Sequence, residues 1–339
     1  MNAREQAQWK WDHIAKPLHS LGHLEDMITR IAAIQDTADV CINKRCALVF
    51  CADHGVVEEG VSQSGSEVTA LVARSLVQGT ANVNLMASAA HADVYAVDMG
   101  MHEIVPGTID RRIARGTKNM AKGPAMTRAQ AQKALQAGID LVGEMKEKGY
   151  RLIATGEMGI GNTTASTALC CALLAFSPEK MVGRGAGLSD AGLERKRWAI
   201  CRALEVNRPD PNDPLGILAA LGGFEIAGMA GAFLGGAQHH VPVVIDGVIS
   251  AVAALIAARI CPEAKEYMLP SHMSREPAAA VIMQELGLTP VIHADMALGE
   301  GTGAVALLPL LDMALRVYHG PHTFDDLGME AYHPQEENA

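Results

Sequence analysis

From residue 46 onward the chain repeats one pattern: a short apolar run, a polar or glycine-rich turn, then an alanine-rich stretch of helical length. The runs are Cys46-Ala-Leu-Val-Phe-Cys-Ala52, Ala92-Asp-Val-Tyr-Ala-Val97, Arg151-Leu-Ile-Ala-Thr155, Pro242-Val-Val-Ile245 and Pro290-Val-Ile-His293. Strands with little polar alternation must be covered on both faces. Strands separated by helices must return in the same direction. The pattern therefore specifies βαβ units and an α/β fold, a mostly parallel sheet covered by helices. Most of the runs end at Asp, Gly or Glu. Ligands of open parallel sheets sit at the carboxyl ends of the strands, so the chemistry is expected in those turns.

The two ends of the chain read differently. Residues 1–36 are helical in pattern, broken by Pro17 and Gly22, with Leu24, Met27, Ile28, Ile31 and Ile34 on one stripe. Such a stripe needs a partner, either the C-terminal helix or a second subunit. Residues 304–318 read as a buried helix, and the tail from Pro334 to Ala339 is expected to fray. With 339 residues and 49% apolar side chains, the chain has material for a full core. A net charge of −10 and 4% aromatics exclude a nucleic-acid binder, which needs a basic, stacking surface. The longest apolar stretch, Val243 to Ala258, contains Asp246 and is too short to cross a bilayer, so no membrane partner is expected. The first ten residues lack the apolar core of a signal peptide. The seven cysteines are odd in number, and several lie in apolar runs, the usage of reduced thiols in a cytoplasmic protein. Cys41 and Cys46 have no second pair to complete a zinc site, and no metal or cofactor is expected.

Four turns are candidates for chemistry. Gly156-Glu-Met-Gly-Ile-Gly-Asn-Thr-Thr164 has the outline of a phosphate loop, but Asn162 stands where the lysine belongs. Without that cation a triphosphate is disfavoured; free N–H groups at a helix start still suit one phosphate and a ribose. The alternative is a plain turn capped by Asn162 or Thr163. Val182-Gly-Arg-Gly-Ala-Gly187 is a G-x-G-x-G loop followed by a helical run with Lys196. Lys196 either neutralises a phosphate or belongs to the solvated Glu194-Arg-Lys-Arg197 face. In Leu298-Gly-Glu-Gly-Thr-Gly-Ala304, Glu300 lies between two glycines in apolar surroundings, which would raise its pKa towards that of a general base. The alternative has Glu300 capping the next helix. Ser64-Gly-Ser-Glu67 fits a capping box with Ser64 as N-cap. His54 and His272 are lone histidines near strand or loop ends and read as structural.

Taken together, the motifs resemble one family. Cys51-Ala-Asp-His-Gly-Val56, Gly60-Val-Ser62, Val97-Asp-Met-Gly100, the Gly156–Thr164 turn, Gly222-Gly-Phe-Glu-Ile-Ala-Gly-Met229, Asp246-Gly-Val-Ile-Ser250, Pro270-Ser-His-Met-Ser274 and Leu298–Ala304 occur in that family's order. The family is nicotinate-nucleotide–dimethylbenzimidazole phosphoribosyltransferase, which activates the lower ligand of cobamides. The resemblance implies a Rossmann-like α/β domain over residues 41–304 and a small helical domain from residues 1–40 plus about 305–339. It implies transfer of the phosphoribosyl group of nicotinate mononucleotide to a benzimidazole nitrogen, with inversion and release of nicotinate. It also implies a dimer. Residue by residue, Glu300 matches the general base and Glu157 a second acid in the site. Gly159, Gly161, Asn162, Thr163, Gly183, Gly185, Gly187, Lys196 and Ser274 match the phosphoribosyl-binding region, and Ser64, Val72 and Leu298 the acceptor side.

The chain departs from the family pattern on that side. Gly65 replaces a common Pro, Val72 a common Gln, Ala297 a common Arg, and Arg275-Glu-Pro-Ala278 a glycine-histidine region. An apolar residue at position 72 would suit a phenol, so transfer to phenol or p-cresol within a paralogous heterodimer is the runner-up. Two further readings are a non-enzymatic scaffold subunit, which the retained Glu300 opposes, and a nicotinamide-dependent oxidoreductase, which the missing G-x-G-x-x-G opposes.

Overall fold

The computed structural model describes residues 1–185 and 187–332; the tail expected to fray and Ala186 of the G-x-G-x-G loop lie outside the described residues. Six parallel strands make one sheet: β1 (Arg45–Ala52), β2 (Asp93–Gly100), β3 (Ile109–Asp110), β4 (Leu152–Met158), β5 (Val243–Ile245) and β6 (Met268–Pro270). Their order is β3-β2-β1-β4-β5-β6. The connections reverse direction between β1 and β4, the point at which such sheets open a ligand crevice.

Four of the five expected strands form. The run Pro290 to His293 does not, and only Ile292 bridges to His272 beyond β6. Pro290 has no N–H to donate, and a three-residue strand that itself ends in Pro270 takes the sheet edge instead. Nothing in the residue pattern announces β3, a two-residue strand.

Every residue of β1 is buried, and alternate residues serve two cores. Cys46, Leu48 and Phe50 face one core, shared with α5 (Arg128–Glu147), α6 (Asn162–Leu174), α7 (Pro178–Met181), α8 (Asp190–Asn207), α9 (Pro214–Leu221), α10 (Phe224–His239), α11 (Val248–Ile260) and α12 (Ala278–Leu286). Ala47, Val49 and Cys51 face the other, shared with α1 (Ala3–His13), α2 (His23–Gln35), α3 (Glu67–Gln78), α4 (Asn82–Ala89) and α13 (Thr302–Tyr318).

The stripe of α2 is covered within the chain. Met27, Ile28 and Ile31 join a core with Trp11 of α1 and with Leu307, Leu311 and Tyr318 of α13. Trp11 is fully buried, its ring 4.9 Å from that of Tyr318, and the Tyr318 hydroxyl donates to the Ala38 carbonyl at 2.8 Å. Arg45, at the start of β1, donates two bonds of 2.6 Å to the Asp312 carboxylate of α13. The planar fork fixes the helix against the sheet as a single contact does not. Among the described residues no helix is long and apolar enough to cross a membrane.

Candidate active site

The cavity that gathers the sequence candidates lies at the carboxyl ends of β4, β5 and β6. Glu157, Gly159, Asn162, Thr163, Gly185, Ser274, Leu298 and Glu300 all line it. Gly161, Gly183 and Lys196 stand directly behind this wall, through contacts described below. Ser64 and Gly187 lie outside it, Ser64 in solvent, while Val72 packs half-buried on the second core. The start of α3 still reaches the site, because Thr69 Oγ1 accepts the Ile160 N–H at 3.2 Å.

The turn after β4 is the phosphate-loop outline in three dimensions. Gly161 has φ +98°, which admits the sharp entry into α6. It is also the N-cap, with no side-chain cap, so neither Asn162 nor Thr163 plays that part. The missing lysine comes from another element. Lys196 of α8 is fully buried, and its Nζ donates to Thr163 Oγ1 and to the Gly183 carbonyl, each at 3.0 Å. The solvated-face reading of Lys196 is therefore overturned. Lys196 lies on the buried stripe of α8 with Gly192, Ala199, Ile200 and Ala203. Burial lowers its pKa to about 8, with Glu276 opposing the shift. Glu276, in the stretch that departs from the family pattern, lines the cavity and lies against Gly183. A buried cation held by two neutral oxygens at the start of a helix is built to receive an anion.

Two carboxyl groups face this cation's side of the cavity. Glu157, next to last in β4, lies opposite Phe50 of β1 and is buried. Asn162 Nδ2 donates to its Oε2. Burial pushes the Glu157 carboxyl well above the usual carboxylate range, the Asn162 bond opposes the shift, and Asp246, Glu225 and Glu300 add to it. Glu300 is half-buried, and its Oε2 accepts the Val83 N–H at the start of α4 at 3.2 Å. The dry surroundings expected for Glu300 are found at Glu157 instead.

Glu300 sits on a run of three left-handed residues, with φ +87° at Gly299, +61° at Glu300 and +89° at Gly301. The turn lies flat on β4: a Cβ added to Gly156 would stand 2.5 Å from the Glu300 carbonyl oxygen. Nor does Glu300 cap α13. That part is taken by Asp246, which follows β5: Gly301 N–H donates to its Oδ2 at 3.2 Å and Ala304 N–H to its Oδ1 at 3.0 Å. Burial pushes the Asp246 carboxyl up against the opposing pull of His272 and of the Ala304, Gly247 and Gly303 N–H groups. The capping box expected at Ser64 is also absent: α3 starts at Glu67, with Ser66 as N-cap and no side-chain cap bond.

Sequence reasoning gave no site role to Asp246, Ser250 or Glu276 and read His272 as structural, yet all four line the cavity. The rule that ligands gather at strand ends would have found Asp246 and His272, since each directly follows β5 or closely follows β6. His54 keeps its structural reading: its Nε2 lies 2.6 Å from Glu225 Oε1, and both residues are buried.

A doubly wound parallel sheet, a glycine turn with a buried lysine, and two carboxyl groups beside the strand ends make up an α/β site with a place for an anion and a place for acid–base chemistry. Comparison with known proteins gives the family. The family model described as "Phosphoribosyltransferase" matches residues 1–329. The chain is 44% identical over 333 residues to the nicotinate-nucleotide–dimethylbenzimidazole phosphoribosyltransferase of Acetivibrio thermocellus, covering 98% of this chain and 95% of that protein. It is 44% identical over 334 residues to the enzyme of the same name from Ruminiclostridium cellulolyticum, again covering 98% and 95%. The crystal structure of CobT from Thermus thermophilus superposes with a TM-score of 0.92 at 40% identity, covering 97% of this chain and 99% of that one. The chain belongs to this phosphoribosyltransferase family and is a transferase enzyme. The two named relatives carry dimethylbenzimidazole in their names and neither names a phenol, so the phenol-accepting alternative finds no support in them.

Proposed function

We propose that the chain transfers the 5-phosphoribosyl group of nicotinate mononucleotide to a nitrogen of 5,6-dimethylbenzimidazole or a similar base, for cobamide synthesis. The observation that carries this reading is the pairing, across one cavity, of the buried Lys196–Thr163 cation site with the Glu300 carboxylate. The phosphate docks on the first turn of α6 beside Lys196, with Gly159, Gly161, Asn162, Gly183, Gly185 and Ser274 shaping the pocket for the ribose phosphate and Gly187 outside it. The base lies towards Leu298, with Ser64 and Val72 on the acceptor's outer side.

The bond from C1′ of the ribose to the pyridinium nitrogen breaks, and its electron pair neutralises the departing nicotinate ring. No general acid is needed. A benzimidazole nitrogen attacks C1′ from the opposite face, which inverts the anomeric carbon. The proton of the other ring nitrogen passes to Glu300, which releases it to solvent. Both sugar and acceptor are positively charged in the transition state, and the Glu300 carboxylate beside them stabilises that charge. Glu157, its carboxyl pushed well above the usual carboxylate range by burial, lies against the Gly299 turn that carries Glu300 and accepts from Asn162.

The test is product analysis by mass with nicotinate mononucleotide and each acceptor. An α-ribotide is expected from dimethylbenzimidazole; turnover of phenol or p-cresol alone would overturn the acceptor assignment. Glu300→Gln should lower kcat by about 10²–10⁴-fold, the usual range for a general base. Wild-type turnover in that variant would remove Glu300 from the mechanism.

The enzyme is further inferred to act in the cytoplasm, supported by its seven cysteines, all free, and as a dimer. The N-terminal helix α2 does not need a second subunit, because α1 and α13 cover it. Support for the dimer is the apolar side chains left in solvent around α3 and α4: Leu71 is 52% exposed, Leu85 65% and Ile104 77%.

A further inference from the structure

Asp246 is a buried carboxylate that the proposed reaction leaves without a part. It sits after β5, and Ser250 Oγ accepts its backbone N–H at 3.1 Å. Ser250 Oγ in turn lies 2.7 Å from Thr155 Oγ1 of β4. The side chain is thus carried by two neighbouring strands and is 2% exposed. Both of its oxygens point at one target, the N–H groups of Gly301 and Ala304 that open α13. The first of those N–H groups belongs to the residue directly after Glu300. Gly303 makes the approach possible: a Cβ there would stand 2.9 Å from Asp246 Oδ1 and 1.8 Å from His272 Nδ1.

The turn it grips has a reason to move. A non-glycine residue at φ +61° costs free energy, and it persists only where its surroundings over-determine it. Gly156 gives the turn a flat bed, but a bed resists motion in one direction only. Charge-assisted bonds from two N–H groups, three residues apart, fix the turn along the helix axis as well.

We infer that Asp246 is a positioning residue, whose two bonds to the start of α13 hold the Glu300 carboxylate at its working distance from the acceptor. The inference rests on the proposed role of Glu300 as base. Misplacing a catalytic group by about 1 Å costs on the order of 10²-fold in rate. An asparagine keeps the shape of Asp246 but turns an amide N–H₂ towards one of the two donors, so one bond becomes a repulsion.

The experiment is a double-mutant cycle with nicotinate mononucleotide and dimethylbenzimidazole, with folding checked by thermal melts. Asp246→Asn should lower kcat by about 10²-fold while the KM for the nucleotide stays within about threefold of wild type. In a Glu300→Gln background the same substitution should cost less than about threefold, because the group it positions is gone. Full additivity of the two losses would overturn the inference, and so would a rise in KM with kcat unchanged, which would make Asp246 a substrate contact. If Asp246→Asn does not fold, Gly303→Ala makes the same test with Asp246 intact. It should lose kcat and again be non-additive with Glu300→Gln; wild-type kcat there would overturn the inference. Wild-type activity of Glu300→Gln alone is a different result, since it overturns the underlying role of Glu300.

Discussion

Lys196 stands inside the protein with its hydrogen bonds going to two neutral oxygens, a costly arrangement for a cation that the charge of Glu276 only partly offsets. Its pKa falls from 10.5 to about 8. The unfolded chain therefore holds the extra proton between pH 8 and 10.5, and stability rises with pH across that window. Below pH 8 both states are charged and the full penalty applies, about 3 kcal/mol from the size of the shift. Lys196→Met should raise the melting temperature at pH 7 and raise the KM for the nucleotide at least tenfold. A melting temperature below wild type would show that the cation stabilises its surroundings instead. Glu157 has the opposite sign. Its raised pKa means that the folded state holds a proton the unfolded chain has lost, so its contribution falls as pH rises above the ordinary carboxylate range. Glu157→Gln should therefore gain in melting temperature over wild type as pH goes from 5 to 8; a constant difference across that range would contradict the assignment. Glu300 was legible in the sequence because a carboxylate between two glycines is conspicuous. Lys196 was masked by charged neighbours at 194, 195 and 197. Its spacing to Gly192, Ala199, Ile200 and Ala203 was the available signal, since those small and apolar residues share its side of the helix.

The elements that carry the site are placed by close backbone contact as well as by side-chain packing. Helices α5 and α10 approach so nearly that a Cβ on Gly138 would lie 2.0 Å from the Gly228 carbonyl oxygen, and one on Gly231 2.0 Å from that of Leu135. Gly231→Ala should force the helices apart and lower unfolding stability by about 1–3 kcal/mol or more, read as a shift in the urea midpoint. An unchanged midpoint would mean that the two helices slide freely. The long strands and helices were readable because their apolar runs have a clear length and end at turn residues. The short ones were not. A three-residue strand such as β6 has no period to detect, and Pro290 to His293 imitates a strand in composition alone. The capping box at Ser64 failed for a related reason: three residues can match a motif while the chain around them starts its helix at Glu67.

For the molecule as a whole, the alternation of runs and helices specified the sheet, its parallel sense and the edge that holds the cavity. It did not specify the strand order, which depends on contacts far apart in sequence. Nor did it specify the acceptor, which depends on side chains from several loops. Sedimentation of the purified protein should give about twice the chain mass of 35.8 kDa; a monomer at micromolar concentration would remove the inferred dimer. Replacing Leu85 and Ile104 together by Ser should shift that equilibrium towards monomer, because burial of such residues contributes about 1.5–3 kcal/mol each.

The three left-handed residues at 299–301 also bear on anyone who wishes to change what this enzyme accepts. A library that randomises the whole acceptor side would commit most of its members to backbones that no longer present a carboxylate. Diversity belongs at Leu298, which borders the same cavity, is 52% exposed, and lies just outside the left-handed run. The tripeptide after it is best treated as a fixed hinge pin: one place in the chain where evolution, natural or directed, has almost no room to draft alternatives.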